Sequence, residues 1–508
     1  ATEAGSTGNT AESGTITMAM VSAWDSIIPF DTTSSYSDVV LDLIYDKLVY
    51  LKQDGTYEPR LADKWSMSDD NKVLTVHLNE NAKWQDGEPV TADDVVFTMQ
   101  LYNSPSAAVV RQNNVSPFAG FKEGDDSLQV KAVDEHTVEM TCAEPTNMDF
   151  LFFIKFRDIY ILPKHLLGDT PYADIRNNSY WEKPVGSGPC IYESQISGER
   201  MEFKANKDYY LKTPQWDRFV VKVVATPSLL SGLMNNEIDI LAGNVASLQL
   251  SDWDMAKQQQ NLTCVSTESV GYQYMAINTG KDYMPAKVRQ AIDMAINRDA
   301  IVSGLLKGEG EPAFGPFAKS HKYYDDVVNV GYNPEKAKEL LAEAGWDGSH
   351  ELVFSVPTGN SIREQAAVII QQNLQEVGIK TKIESADFAT HLTKVREGNY
   401  DLGLIGSGGS PDPSECVINF KPDHINNFSH LSDWTIYDTG AEGEHAFSFE
   451  DRKANYDKYQ ELLVDQVPFC FLYFQNNLFA YNNRIGNVKD NQDYSQLNRD
   501  VWNWTIEK

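Results

Sequence analysis

An α/β protein built from two sheet-based lobes is the fold class this sequence predicts, and three observations predict it. The first is a regular alternation of strands and helices between Leu352 and Ile405. The second is a short echo of that pattern far upstream. The third is length: 508 residues, 42% hydrophobic and 23% charged, suffice for roughly two to four cored units.

The alternation begins with a short strand through Val353, Phe354, Ser355 and Val356. The helix that follows, from Ser361, sets Ala366, Ile369, Ile370 and Leu374 on one side, and Gly378 supplies a left-handed stop. A strand in Ile379 to Glu384, a helix through His391 to Glu397 and a strand in Tyr400 to Ile405 complete a βαβαβ unit, which favours a largely parallel sheet covered by helices. Upstream, Pro285 to Leu306 reads as one amphipathic helix through Val288, Ala291, Ile292, Ala295 and Ile296. Asn333 and Pro334 cap a helix over Glu335 to Ala344, closed by Gly345. The echo pairs a helix over Leu229 to Asn236 and the run Glu237-Ile238-Asp239-Ile240 with a helix over Leu392 to Gly398 and the run Asn399-Tyr400-Asp401-Leu402. Each is a helix, a polar turn and a buried strand that starts around an aspartate.

Charge and composition exclude several functions. A net charge of −30 repels phosphate backbones and anionic lipid, and no Lys/Arg stripe offsets it, so nucleic acid is not an expected partner. The most apolar stretch, Phe150 to Leu162, is broken by Lys155, Arg157 and Asp158 and is too short to span a bilayer. Ala1 to Gly14 has the composition of a flexible tether. Cys142, Cys190, Cys264, Cys416 and Cys470 include no C-x-x-C pair, which excludes zinc ribbons and dithiol redox motifs and leaves both disulfides and buried thiols open. The glycine-rich stretches Gly186 to Pro189 and Gly406 to Pro411 lack the lysine of a phosphate-binding loop and read as turns or cleft walls. The frame Gly408-Gly409-Ser410-Pro411 ends in Asp412, where a nucleophile elbow needs glycine. His424, His430 and His445 form the one loose histidine cluster, in a segment that reads as a surface loop, so no metal is expected. The many carboxylates give a glycosidase-like pair no specific signature.

The stretch from Tyr57 to Gln100 is the most informative. A strand alternating Leu74, Val76 and Leu78, a tight Asp86-Gly87 turn and a helix opening at Thr91 with Asp94 three residues on make a compact signature. Its wording, PRLADKWSMSDDNKVLTVHLNENAKWQDGEPVTADDVVFTM, resembles that of the bacterial extracellular solute-binding proteins of family 5, the capture subunits of ABC importers for peptides, nickel complexes and oligosaccharides. Pro184 to Pro189, Asn206-Lys207-Asp208-Tyr209-Tyr210, Val288-Arg289-Gln290-Ala291 and Tyr332 to Ala337 extend the resemblance over nearly the whole chain. Asn79 stands where the family often has a basic residue.

The resemblance implies a two-lobed fold of the type II periplasmic-binding-protein kind, a Venus flytrap with an additional accessory domain. A first lobe would comprise 15–50, 186–268 and 481–508, the accessory domain 51–185 and the second lobe 269–480, after a tether over 1–14. It implies a non-enzymatic monomer without a cofactor that closes its lobes on a small solute, a peptide before an oligosaccharide, and delivers it to ABC permease subunits. The site would be the periplasm or the outer face of the cell membrane, as a lipoprotein. A hydrolase acting in the same cleft is the alternative of a different class.

Candidate ligand residues follow. In the resembled family the loop after the first strand faces the ligand, which here nominates Trp24, Asp25 and Phe30. The segment Gly271 to Asn278 resembles the one leaving the first lobe, and its alternation sends Tyr272 and Tyr274 to one face, toward a ligand or into a core. Ser407, Gly409, Ser410 and Asp412 lie after the last strand of the βαβαβ unit, where open α/β sheets place ligands. Peptide-binding relatives carry an acid for the peptide's α-ammonium at the position of Gly409; here either Asp412 or Asp25 substitutes, or the solute has no such cation. Arg363, in the first turn after the Val353 to Val356 strand, is placed to receive a carboxylate. Trp434 is a candidate stacking platform.

Overall fold

The computed structural model describes residues 14–51, 57–409, 412–488 and 500–507; the predicted tether, apart from Gly14, lies outside them. The chain forms two compact units, one running to Thr267 and resuming at Asn477, the other spanning Glu268–Asn476. No helix among the described residues is long and apolar enough to cross a membrane, and all five cysteines are free thiols.

The first unit is built on Thr15–Met20, whose Ile16, Met18, Ala19 and Met20 are fully buried. This strand lies inside a seven-stranded sheet. The order is Leu262–Thr267, Asn477–Asn482, Ile240–Leu241, Thr15–Met20, Arg218–Val223, Arg200–Ala205 and Cys190–Ile196. It runs parallel to Ile240–Leu241 and to Arg218–Val223. The segment expected to be an accessory domain carries its own antiparallel sheet, ordered Ala62–Met67, Val73–Leu78, Thr137–Thr141 and Val130–Ala132. Its inward-facing Leu74, Val76 and Leu78 join one continuous apolar core with Ile16 and Met18. The Asp86-Gly87 turn forms, with Gly87 at φ 98°. The following helix, Ala92–Asn103, starts where Asp94 accepts the Thr91 N–H at 2.8 Å. The Gly186 to Pro189 stretch is a backbone-packing turn. A Cβ on Gly186 would sit 1.8 Å from the Ile44 carbonyl oxygen at the end of helix Ser35–Ile44.

The second unit holds the βαβαβ element. Glu351–Pro357 pairs in parallel with Lys380–Ala386 and with Leu402–Ser407, joined by helices Ser361–Glu376 and Phe388–Arg396. The sheet is mixed, because Tyr272–Ile277 adds antiparallel to Leu402–Ser407 and is followed by Phe469–Gln475 and Gly310–Pro312. Each face has its own core. Leu402, Leu404, Ala366 and Ile370 join one, and Ile405, Tyr272, Tyr274 and Val395 join the other.

The single helix expected over Pro285 to Leu306 is two, Ala286–Ala295 and Arg298–Leu305. The break caps and neutralises. Asn297 accepts the Ala300 N–H at 2.9 Å, and Arg298 turns inward to bond the Ala313 and Phe471 carbonyls at 2.9 and 2.6 Å and to pair with Asp293.

The upstream echo is real at the level of hydrogen bonds. Asp239 accepts the Thr17 N–H at 2.8 Å and returns its own N–H to the Thr17 carbonyl at 2.8 Å. Asp401 does the same with Val353, at 2.7 and 3.0 Å. In both cases the aspartate's carbonyl accepts an asparagine N–H, from Asn482 at 2.7 Å and from Asn278 at 2.9 Å. Each unit thus fastens a strand to its parallel neighbour with the same side chain.

Candidate functional site

Arg363 follows one parallel strand of the second unit and reaches the end of the next. Asn360, just past the Glu351–Pro357 strand, caps the next helix by accepting the Arg363 N–H at 3.0 Å, and this fixes Arg363 in the helix's first turn at the carboxyl ends of the strands. Its half-buried side chain donates from Nε to Gln273 Oε1 at 2.9 Å. Gln273 lies opposite Gly406 in the antiparallel register, and glycine is what makes room: a Cβ at 406 would lie 2.5 Å from Gln273 Nε2 and 3.0 Å from Arg363 Nη2.

Among the described residues no carboxylate lies within ion-pair distance of Arg363. Burial lowers its pKa, with only Tyr473 and Tyr274 opposing. The chain holds 73 acidic residues against 43 lysines and arginines, so an unmatched, half-buried guanidinium is a costly feature that an incoming anion would relieve. Its field is felt nearby. His391, on helix Phe388–Arg396, is pushed down to about 4 by burial and then by Arg363, and sits 2.9 Å from the Ser355 hydroxyl.

The loop after Leu402–Ser407 is built from backbone contacts. Ser407 Oγ accepts the Gly409 N–H at 3.2 Å. Gly409 has φ 66°, and a Cβ there would lie 1.8 Å from the Val270 carbonyl oxygen. Ser410 lies outside the described residues. Asp412 corrects the sequence expectation: it is 3% exposed, pairs with the buried Arg452 at 3.0 Å and accepts the Ser414 N–H at 3.0 Å. Its charge serves the fold. Burial alone would lower the Arg452 pKa, but the Asp412 carboxylate holds it up.

Three aromatic candidates are also corrected. Tyr272 and Tyr274 share a face as the alternation requires, but that face is core, because their strand is central and covered on both sides. They are 2% and 3% exposed. Tyr274 stacks on Phe469 at 4.3 Å between centroids, and Tyr272 meets Phe471 edge-on at 5.3 Å. Phe30 is fully buried in the first unit against Trp181, with the Arg176 guanidinium 5.4 Å from its ring centre.

Trp24 and Asp25 stay accessible in the first unit. Trp24 is half-buried and donates from its indole N–H to Gln195 Oε1 at 2.8 Å. Asp25 is exposed, and its Oδ1 takes the Thr32 and Ser37 hydroxyls at 2.6 and 2.5 Å. Slight burial pushes its pKa up, but those hydroxyls outweigh it and the net shift is downward. Trp434 is 41% exposed, set edge-on to Tyr437, with the Lys421 ammonium 5.8 Å from both ring centres. Sequence reasoning read Gly406 as a turn or cleft-wall glycine but missed the roles of Gln273 and Arg452. The one available signal was a lone amide between two tyrosines in an otherwise apolar strand.

The family described as bacterial extracellular solute-binding proteins, family 5, middle region, matches residues 56–427. The oligopeptide-binding protein AppA of Bacillus subtilis is 26% identical over 511 residues, covering 93% of this chain and 88% of that protein. The dipeptide-binding protein of Escherichia coli is 29% identical over 466 residues, covering 86% and 84%. Among solved structures, the ABC transporter substrate-binding protein CtaP of Listeria monocytogenes superposes with a TM-score of 0.86 at 23% identity, covering 98% of this chain and all of that one. With most of its length matched, and with the two-unit α/β architecture in place, this chain belongs to the bacterial extracellular solute-binding proteins of family 5.

Proposed function

We propose that this protein captures a peptide by its terminal carboxylate and delivers it to the membrane subunits of an ABC importer, without chemical conversion. The observation that carries the reading is Arg363, a half-buried guanidinium held by Gln273 and, among the described residues, left without an acid in a strongly acidic chain. A carboxylate meets that fork with two parallel charge-assisted hydrogen bonds. The names of relatives point the same way: oligopeptides for AppA and dipeptides for the Escherichia coli protein.

The wider assignments rest on family membership. They are a monomer, an accessory role for 51–185, and attachment to the outer face of the membrane through a lipid anchor or release into the periplasm. Titration calorimetry with peptide and glycan panels tests the reading. Peptide heats with no glycan heats support it; glycan binding alone, or cleaved product from either panel, overturns it.

A further inference from the structure

Resting on the reading of Arg363 as a carboxylate receptor, we propose that the second unit recognises the anionic end of the solute and forms no ion pair with an α-ammonium, so that Nα-acylated peptides are cargo on equal terms with free ones.

The charge inventory around the strand ends carries this inference. The run from Ile405 to Pro413 contains one acid, Asp412, and that acid is buried and neutralised by Arg452. Position 409 is closed to any carboxylate side chain, because a Cβ there would strike the Val270 carbonyl carbon at 2.3 Å as well as its oxygen. Beside Arg363, the Glu364 carboxylate accepts the Gly359 N–H at 2.9 Å. Past the end of the Lys380–Ala386 strand, Asp387 is taken up by the Thr390 N–H and hydroxyl at 3.0 and 2.6 Å. Within that strand, Glu384 is held between Lys394 and Lys382. Each of these four acids thus has a local partner, while Arg363, bonded to the neutral Gln273 amide, has no acid within ion-pair distance among the described residues.

An ammonium brought here would meet a like charge and lose water without compensation. Acylation removes that charge and leaves an amide, whose needs neutral groups such as the Ser407 hydroxyl and the Gln273 amide can meet.

The test uses the full chain and an equimolar tripeptide library in three forms: free, Nα-acetylated and C-terminally amidated. After incubation and rapid desalting, retained species are counted by mass spectrometry. Acetylated and free forms retained within about threefold of each other, with amides depleted by tenfold or more, is the expected result. Free forms enriched tenfold or more over acetylated ones, with amides still depleted, overturns this inference and leaves the carboxylate reading standing. Amides retained as well as acids, or nothing retained, overturns the carboxylate reading and the inference with it.

Discussion

Replacing Gly406 with alanine perturbs the candidate site without removing a charged group. The new methyl would lie 2.5 Å from Gln273 Nε2 and 3.0 Å from both Gln273 Oε1 and Arg363 Nη2. These are the ends of flexible side chains, so the strand stays paired while both termini are driven away. What is lost is the 2.9 Å hydrogen bond from Arg363 Nε to Gln273 and the orientation it gives the guanidinium. A hydrogen bond to a charged group contributes about 1.5–3 kcal/mol, which converts to roughly 10- to 140-fold in affinity. Calorimetric titration of Gly406→Ala with the best peptide of the panel should show that loss, with a thermal midpoint within a few degrees of the parent. Affinity within about twofold of the parent would refute the idea that Gln273 positions Arg363.

Other predictions address the residues reassigned to the fold and a buried acid in the first unit. Tyr274→Ala removes a ring stacked on Phe469 and should cost about 3–5 kcal/mol, by analogy with other buried aromatic truncations, whereas Tyr274→Phe should unfold near the parent; an alanine variant of normal stability and lost binding would return Tyr274 to the site. Arg452→Met leaves the buried Asp412 carboxylate uncompensated and should cost about 3–5 kcal/mol in a denaturant titration; an unchanged midpoint would contradict the pairing. Asp46, buried with the Tyr209 hydroxyl at 3.0 Å, is pushed up to about 6 by burial, against the opposing pull of Arg60 and Tyr209. A raised carboxyl pKa favours folding in the protonated state, so its contribution is full below about 4 and lost as pH rises through 6, by up to about 3 kcal/mol. Asp46→Asn should therefore gain stability over the parent as pH rises from 4 to 7, and a gap that does not widen over that range would contradict the shift.

What was legible in the sequence was local. Strand Val73–Leu78, the Thr91 start with Asp94, and the order of the βαβαβ element follow from side-chain periodicity and turn chemistry acting over a few residues. The position of Arg363 was legible for the same reason, since a residue in the first turn after a parallel strand sits at that strand's carboxyl end. The break at Ile296 was not, because apolar spacing runs on through Ile301 and Val302, and both helices bury their stripe in one core. Tyr272 and Tyr274 were set on the correct shared face, but alternation does not say whether that face meets solute or protein when a strand is central. Asp412 looked like an available acid because its partner, Arg452, lies 40 positions downstream, and no local rule connects the two.

The most direct measurement of the central claim is the coupling between residue 363 and the solute's carboxylate. One peptide, as acid and as amide, is titrated into the parent and into Arg363→Met. Opposite charges about 4 Å apart at an effective dielectric near 20 interact by about 4 kcal/mol, and roughly 2–4 kcal/mol should survive desolvation. Amidation should therefore weaken binding to the parent by about 30-fold or more and to the variant by less than threefold. An equal amidation penalty in both proteins would show that the carboxylate is read elsewhere.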